Sequence, residues 1–129
     1  MAKHELPRPT DAELAILRVL WDRGPSTVRD VTEALQAERG TGYTTALKLL
    51  QIMTDKGLVL RDDAQRSHVY QACAPATETQ KQLVGDLMER AFGGSSQQLV
   101  LQALSSKRAS RAELDEIRKL LDELEKKAK

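Results

Sequence analysis

The sequence predicts a mainly α-helical protein with one small β-hairpin, and three observations carry that reading. Aromatic residues are scarce, with one Trp, two Tyr and one Phe in 129 residues, so the core must be aliphatic. Apolar residues recur at helical spacing along most of the chain. Only Leu58-Val59-Leu60 and His68-Val69-Tyr70 have strand character, and the polar stretch from Asp62 to Ser67 between them reads as a turn. An aliphatic core favours packed helices over a β-sandwich.

The elements follow in order. Residues 1–9 form a loose arm ended by two prolines. Thr10 opens the first helix, with Glu13 three residues on as in a capping box, and Leu14, Ile16, Leu17, Leu20 and Trp21 are its apolar side. Gly24-Pro25 stops it. Ser26 or Thr27 caps the second helix with help from Asp30, and Val28, Val31, Ala34 and Leu35 repeat at helical spacing. Glu38 to Gly42 reads as a loop. The third helix begins near Tyr43 or Thr44, its inward stripe Ala46, Leu49, Leu50 and Met53, and Gly57 is placed to end it with positive φ. The hairpin comes next.

Ala74-Pro75-Ala76 marks a boundary, dividing residues 7–74 from residues 75–127. Thr77 can cap a fourth helix with Leu83, Val84, Leu87, Met88 and Ala91 as its stripe, and Gly93-Gly94 breaks it. Ser95 or Ser96 opens a fifth, carrying Leu99, Val100, Ala103 and Leu104. Ser110 and Glu113 form another capping box. The last helix then carries Leu114, Ile117, Leu121 and Leu124 as an a/d seam flanked by Leu120.

Composition excludes several classes. Hydrophobic residues are 40% and charged residues 30%, too apolar for intrinsic disorder. The single cysteine, Cys73, rules out an intrachain disulfide and a cysteine zinc cluster; it reads as a small half-buried residue after a strand. No apolar secretory core precedes the first helix, and no run approaches the roughly 20 apolar residues of a membrane span, so a cytoplasmic protein is expected. His4 and His68 are not at metal-ligand spacing, and no nucleophile–base pattern or Gly-rich phosphate loop occurs. Neither catalytic residues, metal nor cofactor is expected. Net charge is +1, and residues 1–75 balance ten Lys/Arg against ten Asp/Glu. Any nucleic-acid affinity therefore has to come from local placement of charge.

Three helices followed by a hairpin is the order of a winged helix-turn-helix, whose third helix lies in a major groove. Short hydroxyl side chains and a lysine stand near the start of that helix. Thr41, Thr44, Thr45 and Lys48 can read base edges or thymine methyls, and Thr44, Lys48 and Gln51 fall opposite the apolar stripe. Tyr43 can touch the DNA backbone or pack on its neighbours. Arg61 and Arg66 flank the hairpin turn, in reach of phosphates. A threonine-rich helix start also serves as plain capping and solvated surface; the order of elements decides for DNA contact. The C-terminal helices are too short to close a good core alone. Leu83, Leu87, Leu99, Leu114, Ile117, Leu121 and Leu124 are expected to bury against a second copy, the alternative being that they fold back on their own N-terminal domain.

E-L-A-I-L-R-V-L-W (Glu13–Trp21), T-V-R-D-V (Thr27–Val31), G-Y-T-T-A-L-K-L-L (Gly42–Leu50) and D-K-G-L-V (Asp55–Val59) together resemble the penicillinase-repressor family, BlaI/MecI with the CopY repressors. The likeness continues through H-V-Y (His68–Tyr70) and A-F-G-G (Ala91–Gly94) into S-x-x-E-L-D-E-I-R-K-L-L (Ser110–Leu121), and covers roughly residues 7–125. It implies a homodimeric repressor on a palindromic double-stranded DNA operator. In better-known members a membrane metalloprotease sensor leads to a cut at an Asn-Phe bond; the matching residues here are Gln102-Ala103, which do not present that bond. The copper-sensing branch has a C-terminal cysteine motif, which this chain lacks. The reading helix has Leu47 and Ile52 where the family often has Arg. Two rival readings stand beside this one: a winged-helix module that binds protein, and a repressor gated by a small ligand between the C-terminal helices.

Overall fold

The computed structural model describes residues 6–64 and 66–128. The chain divides into two compact units, one ending at Val84 and the other running from Gly85.

In the first unit, helix α1 (Asp11–Arg23) starts on the expected capping box. The Thr10 hydroxyl accepts the Glu13 N–H at 3.2 Å, and the Glu13 carboxylate accepts the Thr10 N–H at 2.9 Å. Gly24, at φ 88°, ends the helix. Thr27, rather than Ser26, caps α2 (Val28–Arg39) by the same reciprocal device with Asp30. That helix runs further than the sequence suggests, so the connection to α3 (Tyr43–Lys56) is only residues 40–42. Gly57 ends α3 at φ 85°, a conformation that side chains with a Cβ resist.

The sheet has one strand more than expected. Ser26–Thr27 form a two-residue strand, β1, which pairs with β3 (Val69–Ala72); β3 in turn pairs with β2 (Val59–Asp62). All pairings are antiparallel, with Ser26 opposite Tyr70 and Val59 opposite Ala72. Both hairpin strands lie a residue or two beyond the apolar runs. Leu58 closes α3 instead, its N–H donating to the Met53 carbonyl at 2.9 Å, while the exposed side of the hairpin carries Leu60, Asp62 and Gln71.

The core of this unit joins Ile16, Leu17 and Leu20 of α1, Val31 and Leu35 of α2, Ala46, Leu50 and Met53 of α3, and Val59 and Tyr70 of the sheet. The indole N–H of Trp21 donates to the Ala74 carbonyl at 3.0 Å, fastening α1 to the segment after the sheet. Helix α4 (Ala76–Phe92) begins one residue before Thr77, so Thr77 lies in its first turn and is not its cap. Thr79 is buried, and the Gln82 amide donates to the Leu6 carbonyl at 2.6 Å. Cys73 follows β3 as expected but is exposed rather than half-buried, since it lies one residue past the end of that strand.

In the second unit, Gly93 and Gly94 both take positive φ, and Ser95 caps α5 (Ser96–Ser106) by accepting the Gln98 N–H. Ser110 and Glu113 cap α6 (Arg111–Ala128) reciprocally, at 2.8 and 3.1 Å. No residue of α5 or α6 is buried. Their leucines form stripes without a core to enter.

Candidate nucleic-acid interface

Helix α3 has two unlike sides. Ala46, Leu50 and Met53 have no solvent exposure, which fixes the helix against α1, α2 and the sheet. Thr44, Lys48 and Gln51, on the other side, are all exposed, as are Thr45 and Tyr43. The burial of one stripe therefore turns the other to solvent, with no further device. Thr41 lies before the helix and is only half-exposed. Leu47 packs partly on the core and Ile52 is exposed.

The start of α3 differs from those of α1 and α2. Gly42 is its N-cap, without a side-chain hydrogen bond, and the first turn holds no acidic residue. The first N–H groups of a helix lack intrahelical acceptors, and the helix dipole adds partial positive charge there. Such an end receives a phosphate well.

The two arginines of the hairpin are in different states. Arg61 pairs with Asp63, its Nε 2.8 Å from Oδ1, and the hydrogen bond and charge of Asp63 push the guanidinium pKa further up. The same Asp63 oxygen is 2.6 Å from Nδ1 of His68. Arg66 is exposed and meets no carboxylate among the described residues. Its charge is open to a ligand, whereas that of Arg61 is largely compensated. Sequence reading did not single out Arg29. It lies off the Val28/Val31/Leu35 stripe, where an arginine looks like ordinary solvated surface, yet the fold sets it in one groove with Tyr43 and Arg66.

The residues expected at a dimer seam fall in both units. Leu83 is half-buried in the first unit, lining a groove with Leu14 and Trp21. Leu87, Leu121 and Leu124 are exposed, at 47, 53 and 50%. Leu99, Leu114 and Ile117 are half-covered. Among the described residues, no three His, Cys, Asp or Glu side chains come together to hold a metal ion, and His4 lies outside them. No helix among them is long and apolar enough to cross a membrane.

Comparison with known proteins follows the same line. The family model described as penicillinase repressor matches residues 9–123. The chain is 38% identical over 126 residues to the transcriptional regulator BlaI of Mycobacterium tuberculosis, covering 97% of this chain and 89% of that protein. It is 23% identical over 112 residues to an uncharacterised 16.5 kDa protein of Latilactobacillus sakei, covering 87% of this chain and 77% of that protein. Among solved structures, the DNA-binding domain of the repressor BlaI superposes with a TM-score of 0.51 at 22% identity, over 57% of this chain and 90% of that one. The Bacillus licheniformis BlaI monomer in complex with the blaP half-operator gives the same TM-score, identity and coverage. The fold of the first unit is thus a winged helix, with the hairpin β2–β3 as its wing. The chain belongs to the penicillinase repressor family, whose members are transcriptional repressors and not enzymes.

Proposed function

We propose that this chain represses transcription by occluding a double-stranded DNA operator as a homodimer. The observation that carries this is the two-sidedness of α3: one stripe sealed in the core, and Thr44, Lys48 and Gln51 held in the open. In this reading Thr41, Thr44, Thr45, Lys48 and Gln51 face the major groove, while Tyr43, Arg61 and Arg66 contact the backbone. A solved BlaI winged helix in complex with a half-operator supports it by analogy.

The dimer reading rests on the second unit. Leu121 and Leu124 are half-exposed in the single chain, and neither α5 nor α6 buries a residue. Apolar stripes of that size gain by covering one another, at roughly 25 cal/mol per Å². Residues 7–74 would then read DNA and residues 75–127 would join two copies, with reading helices about 34–36 Å apart across one helical turn. The site of action is the cytoplasm. If a membrane metalloprotease sensor serves this repressor, it has to cut elsewhere than the family's Asn-Phe bond, because Gln102-Ala103 stands at the matching position.

The balanced charge of residues 1–75 favours a second reading, a winged helix that binds protein. Fluorescence anisotropy with a duplex from the chain's own upstream region separates the two. Repression predicts affinity falling about 10³–10⁵-fold between about 50 and 200 mM salt, if some 6–10 phosphates are engaged. Absence of duplex binding at low salt, with a salt-insensitive protein partner, would leave the protein-binding reading.

A further inference from the structure

The first unit has an open groove of about 520 Å³ between the start of α2, the start of α3 and the wing. Its lining includes Arg29, Tyr43, Arg66, Ser67 and His68 and holds no carboxylate. That is a strong local bias in a stretch whose acidic and basic residues balance. Two neighbouring acidic groups already have partners. Asp30 caps α2, accepting the Thr27 N–H at 3.1 Å, and Asp63 is held by Arg61 and by His68 Nδ1. Arg29 and Arg66 form no ion pair among the described residues.

We propose that this groove is a clamp for one backbone phosphate, gripped by Arg29 from α2 and Arg66 from the wing. The inference rests on the DNA-binding reading and adds to it a contact outside the reading helix. Two guanidiniums from different elements suit a phosphodiester, since each offers a planar fork of N–H donors. Tyr43 and Ser67 supply hydroxyl donors of the kind that fix a protein's register on a duplex. Asp63 positions His68. By taking Nδ1 it leaves Nε2 as the ring nitrogen able to meet a ligand. Tyr43 belongs both to this groove and to the first turn of α3, so a phosphate held here sets where Lys48 enters the major groove.

The test uses the full-length chain, with Arg29→Ala and Arg29→Lys variants. The probes are a duplex from the chain's own upstream region and one of scrambled sequence. Arg29 is exposed, so both variants should keep the wild-type circular dichroism and melting curve. The expected result for Arg29→Ala is a log–log salt slope shallower by about 0.9 for each subunit engaged, and binding weaker by about eightfold per subunit near 0.1 M salt. The loss should be equal on the two duplexes and partly restored by Arg29→Lys. A methylphosphonate scan should find one phosphate whose neutralisation weakens the wild type and leaves Arg29→Ala unchanged. If the wild type binds and Arg29→Ala matches it in affinity and slope, the clamp is wrong while the repressor reading survives. If the loss is confined to the upstream duplex, Arg29 reads sequence and the clamp is likewise wrong. If the wild type binds neither duplex, the repressor reading itself fails and takes the clamp with it.

Discussion

Glu13 and Lys56 meet at 2.7 Å across 43 residues of sequence, joining the first turn of α1 to the last turn of α3. Glu13 is 3% exposed, whereas Lys56 keeps a third of its side chain in water. The same carboxylate oxygen accepts the Thr10 N–H, so one group caps α1 and anchors the far end of α3. Burial alone would raise its pKa, but the Lys56 ammonium and the Thr10 N–H and hydroxyl outweigh it and hold the carboxyl below its ordinary value.

That relationship predicts acid sensitivity with a definite sign. A carboxylate whose folded pKa lies below its unfolded value adds stability above the unfolded value, near 4.3. The contribution is lost as pH falls from there through the depressed folded value. Glu13→Gln keeps an acceptor for Thr10 but removes the charge. Urea melts at pH 7 should show the variant less stable by about 1–2 kcal/mol, a partly buried pair being worth more than a surface one. At pH 3 the difference should shrink. An equal gap at both pH values would show that the ion pair contributes nothing that titrates.

Neighbouring positions on α3 should respond very differently to truncation. Met53 has no exposure and Ile52 has 39%. Met53→Ala leaves a cavity beneath α3 and should cost about 2–5 kcal/mol. Ile52→Ala, on the open side, should cost under about 1 kcal/mol. Thermal melts followed by the fluorescence of Trp21, the only tryptophan, check this. Comparable losses at the two positions would mean that α3 is not seated as described.

Much of the first unit is legible in the sequence because its determinants are local. Thr10 with Glu13 and Thr27 with Asp30 are three residues apart, and each pair forms both of its hydrogen bonds, as Ser110 with Glu113 does in the second unit. The Ala46/Leu50/Met53 stripe fixes which side of α3 faces water, and so the exposure of Thr44, Lys48 and Gln51. Strand β1 is not legible, since two residues carry no alternation and Ser26–Thr27 become a strand only when Tyr70 and Val69 arrive beside them. The Lys56 partner of Glu13 is hidden for the same reason. Arg29 escapes notice because its significance comes from Arg66 and Tyr43, which only the folded chain brings to its groove. Asp63, read as part of a polar turn, takes up the charge of Arg61.

Lys48 stands one turn along from Thr44 on the open side of α3 and forms no ion pair among the described residues. Lys48→Ala should leave the fold intact. If Lys48 reads a base, binding to the upstream duplex should weaken by about 1–3 kcal/mol, while scrambled DNA should change little. A uniform loss on both duplexes would reassign Lys48 to a phosphate. Unchanged affinity would remove it from the interface.

Leu121 tests the pairing of chains. It is 53% exposed on α6, in register with Leu114, Ile117 and Leu124, and no residue of α6 is buried by its own chain. A charge there costs the single chain almost nothing, because the side chain already faces water. In a paired seam the same charge would be desolvated opposite its own copy, a cost of several kcal/mol. Leu121→Asp should therefore sediment as a monomer with an unchanged helical signal. Its affinity for a two-half-site duplex should fall by about 10²–10⁴, because two linked reading helices act at an effective concentration that one alone lacks. Binding to an isolated half-site should not change. A variant that remains dimeric would place the seam on another face of the second unit, with α5 and its exposed Val100 and Leu101 the next surface to disrupt.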